Sequence, residues 1–177
     1  MSDYIDQYKK FYSEQGGYGN ADPVMRAAEA IGKYLKQYEC KTLLDYGCGG
    51  GLQYSEHNLD KVWGIEELYC YDPGVQMFIE PPTKGYDAVI NTDVLEHIPE
   101  EHVYDIIQDI YQYAEKFVYF SIATLPAKAI LPNGQNAHCT LKTHKQWCEI
   151  ISRYNTVPTI VRCTGGGLAV VGEDLIP

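Results

Sequence analysis

The chain has 177 residues, 45% of them hydrophobic and 21% charged, with a net charge of −10; this is the composition of one globular domain with an ordinary core. The acidity, and the lack of any lysine- or arginine-rich run, disfavour a nucleic-acid partner, and no apolar run approaches the roughly 20 residues of a membrane span. Six cysteines (Cys40, Cys48, Cys70, Cys139, Cys148 and Cys163) follow no framework spacing and no secretory leader is evident, so free thiols in a reducing, cytoplasmic setting are expected.

Residues 1–20 are polar and aromatic and read as a short helix followed by a glycine-rich loop. Next, Val24, Ala28, Ile31 and Leu35 recur at helical spacing, with Asp22 placed to cap and Pro23 to sit in the first turn. "KTLLDYG" reads as a short strand, and Gly51 to about Gly64 as helical at first and then irregular. "ELYCYDP" is a second strand, stopped by Pro73, and a loose proline-containing stretch follows. "YDAVINTD" is a third strand, "EEHVYDIIQDIYQYAEK" an amphipathic helix and "FVYFSIA" a fourth strand. A long loop, "TLPAKAILPNGQNAHCTLKT", leads to a helix near "HKQWCEIISRY". The final stretch, "TVPTIVRCTGGGLAVVGED", reads as two strands about a glycine turn. Strands alternating with helices predict an α/β doubly wound, mostly parallel sheet with a C-terminal antiparallel hairpin, all in one domain over 1–177. Ligands of such sheets bind beyond the carboxyl ends of the strands, where strand order reverses.

The glycine-rich turn after the first strand lies at that edge. It reads Asp45-x-Gly47-x-Gly49-x-Gly51. Glycines let a backbone approach a ligand closely. The dinucleotide fingerprint would need glycine where Leu52 stands, and the Gly-Lys-Ser/Thr of a phosphate loop is absent. Asp45 would repel a diphosphate and suits a ligand that carries a cation.

At this point the sequence resembles the class I S-adenosylmethionine-dependent methyltransferases, whose first motif is an acidic residue followed by such a loop. The resemblance implies a Rossmann-like fold, with the backbone of Gly47, Cys48, Gly49 and Gly51 against the methionine part of S-adenosylmethionine and Asp45 nearby. It also implies an acid at the end of strand two on the ribose hydroxyls. Asp72, 21 positions after Gly51, is favoured over Glu66, 15 after it. "YDAVINTDVLEHIPEEHV" is similar to the corresponding run of type 11 members, which implies Asn91, Thr92 and Asp93 beside the cofactor and His97 facing the reaction centre. One departure stands out: only 14 positions separate Asp72 from Tyr86, where the usual fold carries a further helix and strand. No adenine-binding acid is evident there.

Methyl transfer from a sulfonium is an in-line displacement. The protein aligns the reactants, excludes water and sometimes removes a proton. Histidine suits that last task, and His97 and His138 are the candidate catalytic residues. The Asp/Asn-Pro-Pro-Tyr and Pro-Cys motifs of base methylation are missing, which leaves a small-molecule acceptor. A catalytically idle cofactor-binding or interaction module is the alternative. His138, Cys139, His144 and Cys148 fit no recognised zinc spacing, and no metal is expected. Tyr12, Tyr18 and Gly19, in the arm over 1–20, are placed to cover the cofactor as a lid. The sequence does not fix an oligomeric state.

Overall fold

A computed structural model describes residues 5–10, 22–165 and 169–177. Residues 5–10 are helical (α1). Then come α2 (Asp22–Gln37), β1 (Thr42–Tyr46), α3 (Leu52–Ser55), α4 (Leu59–Trp63), β2 (Glu67–Tyr71) and β3 (Tyr86–Thr92). The chain continues with α5 (Glu100–Tyr113), β4 (Ala114–Ala123), α6 (His144–Ile151), β5 (Thr159–Thr164) and β6 (Val170–Ile176). Single 3-10 turns occupy Gln76–Phe78 and Leu95–His97. Among the described residues, no helix is long and apolar enough to cross a membrane.

The strands form one six-stranded sheet in the order β2-β1-β3-β4-β5-β6. Every neighbouring pair is parallel except the terminal β5–β6 hairpin. This is the mostly parallel sheet that the strand–helix alternation predicts. β1 lies between β2 and β3, so the chain winds to one side of β1 and then returns to the other. A crevice therefore opens at the carboxyl ends of these three strands. Only a 3-10 turn stands between β2 and β3, which leaves β2 as the sheet's edge.

Side chains alternate across the sheet with period two. Leu43, Ala88, Ile90, Phe117, Tyr119 and Ile160 pack with α2 and Leu59 on one face. Leu44, Val89, Val118, Phe120, Ile122 and Val161 pack with α5 and α6 on the other. α5 buries Val103, Ile107 and Ile110, the stripe expected of an amphipathic helix, and each such side chain stabilises the fold by about 1.5–3 kcal/mol. α6 opens on a capping box between Thr143 and Gln146 and buries Trp147, Ile150 and Ile151.

Three elements differ from the sequence reading. α5 stops at Tyr113 instead of continuing to Lys116, because Ala114 pairs with Tyr86 at the start of β3 across a register shift. This extension also puts Lys116 Nζ 2.9 Å from Asp87 Oδ1. After the glycine loop the irregular stretch is a second short helix, α4. Asn58, left-handed at φ 52°, separates it from α3, and asparagine tolerates that conformation better than most residues. In α2 it is Ala27 that is fully buried, with Ala28 half-buried beside it.

Candidate active site

β1 delivers the glycine loop to the crevice. Gly47 has φ 90°, and a Cβ added there would drive into the side chain of Val94; any side chain would meet both strain and a clash. The loop's amides turn to the neighbouring strand. Gly47 N and Cys48 N donate to Tyr71 O at 2.7 and 3.1 Å, and Gly49 N donates to Asp72 Oδ2 at 3.0 Å. Asp72 Oδ1 accepts from Gly74 N at 2.8 Å. Burial raises the pKa of Asp72, against these two backbone donors. One carboxylate thus ties the end of β2 to the loop after β1.

Beside this loop lies a cavity of about 280 Å³, close to the lower end of the range typical of ligand sites. Residues 47–49, 72–74 and 92–94 line it, with Tyr46, Gln53, Tyr71, His97 and, from α1, Ile5 and Tyr8. The structure thus brings together at the cavity seven residues singled out from sequence: Gly47, Cys48, Gly49, Asp72, Thr92, Asp93 and His97. Glu66 is elsewhere, on the surface, 3.2 Å from Lys41 Nζ.

Asp45 and Asn91 stand behind the lining. Asp45 is fully buried; its Oδ2 accepts from Gln53 Nε2 at 2.9 Å and from Tyr54 Oη at 2.8 Å. Its Oδ1 has no partner among the described residues. Burial pushes its pKa up to about 6 although both donors oppose the shift. Gln53 Nε2 also donates to Cys48 O at 3.0 Å, so Asp45 holds the loop through Gln53. Asn91 Nδ2 donates to Tyr46 O at 2.7 Å, clasping β3 to β1. The Cys48 thiol donates to Gly49 O at 3.4 Å, and the neighbouring Cys70 and then burial push its pKa well above the ordinary range.

The far wall of the cavity is made of side chains. His97 Nδ1 lies 2.7 Å from Tyr8 Oη and 3.0 Å from Ala137 O, while Tyr8 Oη donates to Ala137 O at 2.7 Å. The Tyr8 hydroxyl and the Ala137 carbonyl together fix the plane of the ring through Nδ1 and turn Nε2 toward Asp93. Nε2 lies 3.9 Å from Asp93 Oδ2. Asp93 holds φ 61°, a left-handed conformation rare for a residue other than glycine. His138 stands behind His97, ring centroids 4.6 Å apart and edge to face; its Nδ1 donates to Leu125 O at 2.5 Å. The long loop is fastened two residues beyond it: Thr140 N donates to Glu96 O at 3.0 Å and Thr140 Oγ1 to Ile98 O at 2.6 Å.

Burial works to raise the pKa of Asp93, but the neighbouring His97 and then His138 outweigh it and hold the carboxyl below its usual range. Burial lowers the pKa of His138, against its bond to Leu125 O. Glu96 is fully buried. Burial, then the negative charge of Asp93, pushes its pKa well up.

Sequence reasoning missed Glu96, Gln53 and Tyr8. Glu96 lies ahead of α5, which begins at Glu100 as its sequence pattern predicts, and Glu96 Oε1 accepts from Ala123 N at the end of β4. Tyr8 belongs to the expected arm, whereas Tyr12, Tyr18 and Gly19 lie outside the described residues. Of the cysteine–histidine stretch, His144 and Cys148 come together with Asp174 of β6, apart from His138.

The model of a family described as a methyltransferase domain matches residues 12–156. A solved structure titled "DhpI-SAH complex structure" is similar in fold at a TM-score of 0.52 and 13% identity; the match covers 89% of this chain and 88% of that one. No curated protein matches the chain.

Proposed function

Since this chain belongs to the methyltransferase-domain family, we propose that it binds S-adenosylmethionine beside the glycine loop and transfers the methyl group to a small acceptor at the histidine wall. The observation that supports this most is the cavity itself. It is bounded on one side by a loop free of large side chains and on the other by His97 and Asp93. The similar structure is titled as a complex with SAH, which accords with the same cofactor here.

The residues present fit that cofactor. Asp72 keeps lone pairs beyond the two it gives to Gly49 N and Gly74 N and would accept from a vicinal diol. The loop's glycines leave room for the methionine part. Asp45, its Oδ1 without a partner, places negative charge behind the loop, favourable to a cation on the cavity side. When bound, the cofactor supplies an electrophilic methyl group on a positively charged sulfur. The chain's own residues do the rest. Thr92, Asp93 and Val94 line the cavity between the glycine loop and His97 in sequence, and Ile5 and Tyr8 of α1 add apolar surface to it. His97 and His138 act on the acceptor and its proton.

Titration calorimetry with S-adenosylhomocysteine tests the reading. One site of micromolar affinity is expected, with none for NAD. Transfer of labelled methyl to an acceptor panel separates enzyme from idle module. Absence of any heat with either S-adenosyl compound sinks the proposal.

A further inference from the structure

We propose that Asp93, Glu96, His97 and His138 hold one divalent transition-metal cation at the end wall of the cavity, and that this cation takes an oxygen of the acceptor as a further ligand. The second half of this inference rests on the methyl-transfer reading; the metal site itself does not.

Three observations carry it. First, one nitrogen or carboxylate oxygen from each of the four residues lies within 4.8 Å of all the others. Metal–nitrogen and metal–oxygen bonds of about 2.0–2.2 Å place neighbouring ligands of a six-coordinate ion about 2.8–3.1 Å apart, so side-chain rotation closes the set and leaves two positions open. Second, both imidazoles are arranged as metal ligands are. The Nδ1 of His97 is turned to Ala137 O and Tyr8 Oη, and that of His138 to Leu125 O, which fixes each ring and leaves its Nε2 free. Third, Glu96 is fully buried, with Oε1 bonded to Ala123 N and Oε2 without a partner among the described residues. A buried carboxyl oxygen with no hydrogen-bond partner is costly, and a cation shared with Asp93, its neighbour in the group, would give it one.

Two nitrogens and two carboxylates suit manganese, cobalt, iron or zinc better than magnesium or calcium. Two carboxylates also neutralise a divalent charge. Asp93 and His97 line the cavity while Glu96 and His138 stand behind it, so the ion's open positions face the acceptor. A cation there selects an oxygen acceptor, a hydroxyl or phenol, and eases loss of its proton. With their Nε2 atoms on the ion, His97 and His138 act on the acceptor through it and not as free bases, and the O–H bond breaks with the proton passing to water. The oxygen lone pair then forms the C–O bond as the C–S bond breaks, and sulfur leaves as a neutral thioether.

The test uses the whole chain, stripped with a chelator and titrated with Co²⁺ and Mn²⁺ by calorimetry, with the visible absorption of Co²⁺ as second readout. One ion per chain is expected. Binding weakens at least tenfold in His138→Ala and in Glu96→Gln and is unchanged in His144→Ala, which alters the separate His144–Cys148–Asp174 group. His138 is only half-buried, so that variant serves if Glu96→Gln fails to fold. No bound ion, or binding indifferent to His138→Ala, overturns the proposal. Titrating S-adenosylhomocysteine into the same samples separates the two readings. Cofactor binding without metal removes only the ion; metal binding without cofactor removes methyl transfer and leaves the ion in place.

Discussion

At the β1 end the cavity presents main chain. Residues 47–49 come straight off the strand, their amides bonded to Tyr71 O and Asp72, and the charged side chain of Asp45 is tucked behind them. At the β3 end it presents side chains drawn from far apart: Tyr8 from α1, Asp93 and His97 after β3, and His138 from the loop after β4. The first end suits a ligand whose shape and charge are fixed. The second suits chemistry, because each imidazole is oriented by a carbonyl and can be changed without disturbing the sheet. The two ends should therefore fail differently when mutated.

Asp72→Ala should do the most damage, because the main-chain end depends on that carboxylate. It removes two hydrogen bonds to a charged acceptor, at 3.0 and 2.8 Å, each worth roughly 1.5–3 kcal/mol, and leaves amides unpaired. A stability loss of about 3–5 kcal/mol in urea unfolding is expected, with S-adenosylhomocysteine binding lost. A variant within 1 kcal/mol of the parent (roughly one neutral hydrogen bond) would mean that the loop holds itself.

Asp45→Asn separates stability from binding at the same end. The folded-state pKa is about 6 against about 3.9 unfolded, so the folded chain keeps this proton longer than the unfolded one. Stability from this group is therefore full below about pH 4 and declines as pH rises through 6; at pH 7 the loss is about 3 kcal/mol. Asparagine cannot ionise. The variant should be more stable than the parent at pH 7 by up to that amount, with the gain vanishing near pH 4, as thermal melts across pH would report. It should also lose about 1–3 kcal/mol of cofactor affinity. Equal melting curves at both pH values would show that Asp45 does not carry this charge.

At the side-chain end the expected effects are smaller and fall on turnover. Tyr8→Phe removes the hydroxyl that bridges His97 Nδ1 and Ala137 O and keeps the ring that packs with Leu131 and Ala137. About 1 kcal/mol of positioning is lost, roughly a fivefold fall in kcat, with the Kd for S-adenosylhomocysteine unchanged. A change in that Kd with kcat intact would move Tyr8 to the cofactor half.

The same contrast explains what could be read from the sequence. The main-chain end is nearly contiguous, so Asp45 and residues 47–51 stand out as one motif, and the family resemblance it carries points on to Asp72 or Glu66. The sheet was legible because Leu43 and Leu44, or Ala88 and Val89, alternate cleanly between two cores. The side-chain end was half legible. His97 sits in a recognisable run, but nothing local shows that Tyr8 reaches it across 89 positions. Nor does it show that Glu96 turns to Ala123 at the end of β4. Long-range partners of single polar residues leave no periodic trace. The end of α5 was misplaced for a related reason: Ala114, Glu115 and Lys116 are good helix formers, and the strand partner Tyr86 overrides them.

The smallest expected effect decides which acid serves the ribose. Glu66 and Asp72 are both plausible by offset, but the fold separates them. Asp72 lines the cavity at the end of β2, whereas the Glu66 side chain is 71% exposed beside Lys41. An exposed ion pair contributes little, about 0–1 kcal/mol. Glu66→Gln should leave both unfolding and S-adenosylhomocysteine affinity within about 0.5 kcal/mol of the parent. If its affinity falls tenfold while Asp72→Asn, which keeps an acceptor oxygen in place, binds normally, the ribose lies against the other acid. The cofactor would then have to reach outside the cavity, past the amino end of β2, and the main-chain end would lose its claim to be the nucleoside site.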